Sequence, residues 1–240
     1  SCGRIKVFVN ERNISPKAYF CNPDSATVFI YTYDITRFLQ PHKNTIAVWY
    51  APESGREPSK QLSMEYYGYD AKGKYFYHKA NGDWKCCILK GCYIKKEIEA
   101  FDACSYDNQW KSPDFDRSKW LNPLGAYNQS RDYRLINNPF ERGHCTIRHI
   151  MSPIDVYRDQ KSIYYDFGKA FKGTPRITLR EAKRKETINM DGFRYTCNGE
   201  LDEQAFRRFT NKSQRIIKIY SNSQYFKESQ IVNIEGLENE

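Results

Sequence analysis

The chain has 240 residues, 40% hydrophobic and 28% charged, which is enough apolar matter to bury a core and rules out disorder by composition. No apolar run approaches the ~20 residues of a membrane span, and no signal peptide is visible, which leaves export open. The formal charge of +9 brings nucleic acid to mind, but the basic residues are dispersed, and the densest cluster, residues 180–185, already contains Glu181 and is followed by Glu186, so a phosphate-tracking face is not expected.

Ile5, Val7 and Val9 alternate within residues 4–10 and predict a strand that ends in a turn at 10–13. A sandwich strand so early normally has sheet neighbours before it, so the first domain is expected to lack its first strands. Residues 27–33 and 45–50 are rich in β-branched and aromatic side chains and predict two more strands. Between them Arg37-Phe38-Leu39 predicts one helical turn, ended by Pro41. Residues 61–69, with Leu62, Met64 and Tyr66 alternating, and 74–78 flank Asp70-Ala71-Lys72-Gly73 and predict a hairpin. A further short strand is expected within 86–94. The stretch 99–120 predicts a loop pinned on a core by Trp110, Phe115 and Trp120, with Asp114, Asp116 and Ser118 capping a short turn.

Residues 121–140 carry Asn, Pro and Gly with little periodicity and predict a domain boundary. Beyond them, 146–151, 161–166, 176–180, 192–197 and 215–220 predict strands separated by Gly168, Gly173-Thr174-Pro175 and Asn198-Gly199. That spacing predicts a second all-β sandwich. The tail 236–240 reads as a trailing linker.

Eight cysteines include no C-x-x-C pair. A zinc site from Cys86, Cys87, Cys92 and Cys104 lacks the short ligand spacing such sites use, as does His144-Cys145 with His149. Most of the thiols therefore read as packing residues, with one or two disulfides left open should the protein be exported, and neither metal nor cofactor is expected.

A family resemblance is carried by motifs in a fixed order. In the first half these are Val7-Phe8-Val9-Asn10, Tyr31-Thr32-Tyr33-Asp34-Ile35-Thr36, Asn44-Thr45-Ile46-Ala47-Val48, Gly82-Asp83-Trp84-Lys85, Glu99-Ala100-Phe101-Asp102-Ala103, and Trp110 through Phe115-Asp116 to Trp120. In the second half they are Tyr165-Asp166-Phe167-Gly168, Tyr195-Thr196 with Gly199 and Glu203, Arg208-Phe209-Thr210, and Arg215-Ile216-Ile217. Together they resemble the N-terminal non-catalytic β-sandwich domains of bacterial α-L-rhamnosidases. Three positions depart from that pattern: Glu11 and His42 or Lys43 stand where the family has turn glycines, and Cys104 where it has an arginine.

The resemblance implies an all-β chain of two consecutive antiparallel sandwiches, jelly-roll or galactose-binding-like, over 1–124 and 125–240. The family's catalytic carboxylates sit in a C-terminal helical barrel, which this chain does not reach. The implied function is an accessory region of a glycoside hydrolase, supporting a catalytic domain or binding carbohydrate; the alternative is a stand-alone structural or protein-interaction module with no glycan role. Implied partners are a rhamnose-containing or other plant or bacterial glycan, weakly bound, and a C-terminal catalytic domain, in a periplasmic or extracellular setting. No catalytic residue is assigned, because Asp102, Glu99, Asp114, Asp116 and Asp166 read as loop and turn residues. Sugar binding needs an aromatic face beside polar groups, which makes Trp49, Trp84 and Trp110 the candidates.

Overall fold

A computed structural model describes residues 3–15, 28–52, 62–80, 82–95, 98–124, 133–136, 147–221 and 226–239. They are almost wholly strand, with short 3-10 turns, so the all-β expectation holds. The chain forms two compact units. The described part of the first comprises 3–15, 28–52, 62–80, 82–88, 109–124 and 133–136; that of the second comprises 89–95, 98–108, 147–221 and 226–239.

In the first unit β1 (Gly3–Val9) pairs antiparallel with β2 (Arg12–Asn13) and, along its whole length, with β4 (Ile46–Pro52); β3 (Val28–Tyr31) lies between them in sequence. Alternation puts Ile5, Val7 and Val9 on one buried face with Ile14, and Tyr31, Ile35, Phe38 and Tyr50 pack against them. The two-residue turn from β1 to β2 has Asn10 at φ 47° and Glu11 at φ 70°, the left-handed pair that a tight hairpin requires. Glu11 holds this conformation without the glycine expected there.

Asn10 makes that possible. Its side-chain amide donates to the Phe38 carbonyl at 2.9 Å and to Asn44 Oδ1 at 2.8 Å, and its Oδ1 accepts the Thr45 N–H at 2.9 Å. Asn44 in turn exchanges hydrogen bonds with the Gln40 backbone at 2.7 and 2.8 Å. The hairpin turn and the turn 40–44 therefore hold each other.

The hairpin β5 (Glu65–Tyr69) and β6 (Tyr75–Lys79) stands as a two-stranded sheet of its own, in the register Tyr66↔His78, Tyr67↔Tyr77, Gly68↔Phe76 and Tyr69↔Tyr75. Asp70 makes its turn: Oδ1 accepts the N–H groups of Lys72 and Lys74, both at 2.9 Å, and Gly73 takes φ 75°.

The described residues of the second unit form one ten-stranded sheet. It includes β7 (Tyr93–Lys95) and β8 (Ile98–Asp102); β9 (Tyr133–Ile136) belongs to the first unit and runs parallel to β3. There follow β10 (Ile147–Met151), β11 (Asp155–Arg158), β12 (Ser162–Arg180), β13 (Thr187–Met190), β14 (Phe193–Thr196), β15 (Asp202–Phe206), β16 (Lys212–Tyr220) and β17 (Ile231–Asn239). The order is β10-β17-β12-β16-β13-β14-β8-β7, with β11 and β15 also on β12. Ile177, Leu179, Ile188, Met190, Phe193 and Ile217 form the fully buried centre.

Three expectations are corrected by the strands. Gly173-Thr174-Pro175 is no turn: β12 runs 19 residues, its register shifting between Asp166 and Phe171, where Gly168 takes φ 77°. Gly173 is needed because a Cβ there would lie 1.9 Å from the Leu237 carbonyl. The tail is no linker, since Gly236 pairs with Pro175 within β17, where a Cβ would meet the Phe171 ring at 2.8 Å. Residues 98–102 are strand rather than loop, because Ala100 and Phe101 are buried and β8 runs parallel to β14. The second compact unit includes residues 89–108, while the division expected from sequence lies at 124/125. Within 86–94, only Cys86 pairs outside β7, as a single bridge to Leu121.

Candidate functional site

The carboxylates come first, since hydrolysis would need two of them. Glu99 is 2% exposed. Its oxygens accept the backbone N–H groups of Arg208, Phe209 and Thr210, the last at 2.8 Å, and the Thr210 hydroxyl at 2.6 Å. Glu203, equally buried, accepts the Tyr195 hydroxyl at 3.0 Å and the N–H groups of Asn198 and Gly199 at 2.8 and 2.9 Å. Burial, reinforced by that carboxylate, pushes the Tyr195 phenol well above its ordinary range. Asp102 caps the 3-10 turn Ala103–Ser105 through the Cys104 N–H at 2.9 Å.

Asp166 accepts from Arg215 Nε and Nη2, each at 2.8 Å, and from the Gly168 N–H at 2.7 Å. Asp114 pairs with Lys43 at 2.8 Å, and Asp116 caps Ser118 at 2.8 Å. Hydrogen bonding lowers the pKa of all three: Arg215 acts on Asp166, Lys43 on Asp114, and the Ser118 N–H on Asp116. A general acid at neutral pH needs the opposite shift.

The three candidate tryptophans all lie in the first unit, half-buried. Trp49 is on β4 opposite Lys6, on the face that also carries Phe8. Trp84 sits in the turn before Cys86. Trp110 packs into an aromatic cluster: its ring meets Phe8 edge-on at 5.5 Å and Trp120 at 6.4 Å, and Trp120 meets Phe115 at 5.8 Å. The Arg117 guanidinium laces this loop together by donating to the carbonyls of Trp110, Ser112 and Phe115 at 2.7–2.9 Å. The pinned loop expected from sequence is therefore present.

The outer face of the β5–β6 hairpin carries aromatics that no motif pointed to. Tyr67, Tyr69, Tyr75 and Tyr77 are 57, 74, 54 and 49% exposed, on one face by strand alternation. Tyr69 and Tyr75 pair edge-on at 5.6 Å, and Tyr77 hydrogen-bonds Glu65, which raises the phenol pKa. The inner face is made by Tyr66 stacked on His78 at 4.8 Å and by Phe76 lying over Gly68. The signal was legible: if Tyr66 faces inward with Leu62 and Met64, then Tyr67 and Tyr69 face outward.

In the second unit, a cavity of about 630 Å³ is lined by Arg158, Lys161, Lys218, Tyr220, Phe226 and Glu228. Arg158 is held by Glu228, and Lys218 lies over the Tyr164 ring at 5.4 Å. Of the cysteines weighed as metal ligands, Cys86 and Cys87 are exposed, and Cys104 donates to the Cys197 carbonyl at 3.0 Å. His144 and Cys145 lie outside the described residues. No helix among the described residues is long and apolar enough to cross a membrane.

No protein-family model matches the chain. The α-L-rhamnosidase of Streptomyces avermitilis is 25% identical over 193 residues, covering 70% of this chain and 18% of that protein. Among solved structures, the α-L-rhamnosidase of Dictyoglumus thermophilum superposes with a TM-score of 0.76 at 18% identity, over 99% of this chain and 29% of that one. The fold is that of part of an α-L-rhamnosidase. The S. avermitilis enzyme, solved with L-rhamnose, gives a TM-score of 0.73 at 18% identity over 99% of this chain and 26% of its own, and the Aspergillus terreus enzyme gives 0.72 at 16% over 99% and 31%. The chain thus spans less than a third of the length of each of these rhamnosidases.

Several residues of the rhamnosidase-like motifs hydrogen-bond to other motif residues. Asn10 of the first motif binds Asn44 of the third. Glu99 binds the Arg208-Phe209-Thr210 backbone, Glu203 binds Tyr195 and Gly199, and Asp166 binds Arg215. These motif residues act as polar clamps between distant parts of the chain.

Proposed function

We propose that the chain is the non-catalytic accessory region of a rhamnosidase-like glycoside hydrolase, supporting a catalytic domain and making weak contact with rhamnose-containing glycan. The observation that carries this reading is one of coverage: the likeness takes in 99% of this chain but under a third of each of the three solved rhamnosidases above. The carboxylates support it, since those weighed for hydrolysis are engaged in caps, clamps and ion pairs rather than facing one another across a cleft. Trp49 and Trp84 keep part of their surface and belong to the proposal as minor sugar contacts; Trp110 contributes mainly through the cluster that sets the loop.

Two measurements test it. The purified chain is expected to release no chromophore from an aryl α-L-rhamnoside, and to raise the melting temperature of a rhamnosidase catalytic domain stripped of its own accessory region. Turnover by the chain alone would overturn the reading. A tight complex with an unrelated protein, without such stabilisation, would favour a stand-alone interaction module.

A further inference from the structure

We propose that the outer face of the β5–β6 hairpin, formed by Tyr67, Tyr69, Tyr75 and Tyr77, is a stacking platform for a neutral oligosaccharide. Four large aromatic side chains about half exposed or more, on adjacent rungs of one small sheet, form a contiguous amphipathic patch rather than scattered surface residues. Tyrosine presents an apolar ring to the C–H face of a sugar and a hydroxyl to its ring edge. Successive rungs lie roughly 7 Å apart along the strand, so the two pairs offer consecutive contacts to an extended oligosaccharide. The mutually packed Tyr69 and Tyr75 form the outer pair, and Tyr67 with Tyr77 the inner.

The platform is held ready before any ligand arrives. Phe76 over Gly68 and the Tyr66–His78 stack occupy the inner face, and the Asp70 side chain fixes the turn. Little ordering then remains for binding to supply.

Charge chooses the occupant. On a chain of formal charge +9, the charged residues that the two described strands place on this face are Glu65 and Lys79, which stand opposite one another and cancel. At the tip, Asp70 offsets one of Lys72 and Lys74. Such a face has no cationic cluster to hold a phosphate backbone and no ionic pattern to select a charged protein, whereas it suits an uncharged polyol. The choice of a sugar among uncharged ligands rests on the accessory-region reading.

Affinity electrophoresis of the full chain through gels carrying a neutral α-L-rhamnan or hydroxyethyl cellulose tests the proposal. Retardation is expected in at least one gel, insensitive to salt. Tyr69→Ala and Tyr75→Ala should each weaken it roughly tenfold, Tyr69→Phe should largely preserve it, and Tyr157→Ala, an exposed tyrosine of the second unit, should leave it unchanged. These side chains are exposed, so the variants fold, and an unchanged melting temperature verifies it. Lack of retardation in both gels, equal retardation of wild type and alanine variants, or retardation that collapses with salt would each overturn the platform. So would a concentration-dependent dimer in sedimentation that Tyr69→Ala dissolves, because a second copy would then be the occupant. Failure here leaves the accessory reading standing, which turns on aryl rhamnoside turnover by the chain alone.

Discussion

Two groups of aromatic residues in the first unit have met opposite fates. Phe8, Trp110, Phe115 and Trp120 turn their rings onto one another, and Arg117 ties the loop that carries three of them. Tyr67, Tyr69, Tyr75 and Tyr77 stand out from a hairpin on whose opposite face Tyr66 stacks on His78. Aromatic content alone separates neither group from the other. Burial follows from what else reaches the face: a loop folds over the first group, and nothing among the described residues of the unit covers the second. Contiguous aromatic surface left open in this way is what the proposed platform rests on.

This contrast can be broken or sharpened by substitution, and the largest effect is expected where a buried clamp is removed. Glu99→Ala leaves three backbone N–H groups and a hydroxyl without their acceptor and should cost about 4 kcal/mol of stability, read from denaturant midpoints. If it were nearly neutral, the clamp reading of the motifs would fall. Trp110→Ala opens the first aromatic group and should cost about 3 kcal/mol. Its indole N–H is buried without an acceptor among the described residues, so Trp110→Phe should recover much of that loss. Asn10→Ala removes the hydrogen bonds to Phe38, Asn44 and Thr45 and puts alanine at φ 47°. A loss of about 2 kcal/mol is expected.

Acid should act more gently. Arg215 and the Gly168 N–H hold the Asp166 carboxyl below its ordinary value of 3.8. With the folded pKa depressed, the stability from this pair is present above the unfolded value and disappears as pH falls through the folded one. An acid titration of melting temperature should therefore decline below about pH 4, and less steeply in Asp166→Asn. An equal slope in the variant would remove Asp166 as a cause. The smallest change is reserved for the second aromatic group: Tyr69→Ala should alter stability by no more than about 0.5 kcal/mol. A loss as large as that of Trp110→Ala would mean that the tyrosine face is part of a core after all.

Much of this was legible in one dimension. The β5–β6 hairpin followed from alternation around Asp70-Ala71-Lys72-Gly73, and the pinned loop followed from three aromatics among Asp, Ser and Pro. The errors cluster at glycine and at acidic residues. Gly173 and Gly236 read as turn and linker, yet each permits a close approach, one to the Leu237 carbonyl and the other to the Phe171 ring. Glu99 read as a loop residue, yet its carboxylate is buried against a backbone segment more than a hundred positions later. A local window sees that glycine is permissive and glutamate polar; it does not see the partner that gives either of them its use.

The sequence by itself determined the all-β class, the hairpin and the ordered motifs that resemble α-L-rhamnosidases, because strand alternation and turn chemistry are properties of neighbours in the chain. Only the tertiary structure decided which motif residues clamp one another, to which unit residues 89–108 belong, and which aromatics remain open to a ligand. Those outcomes depend on contacts between residues distant in sequence, and a side chain's burial is settled by whichever segment arrives to cover it.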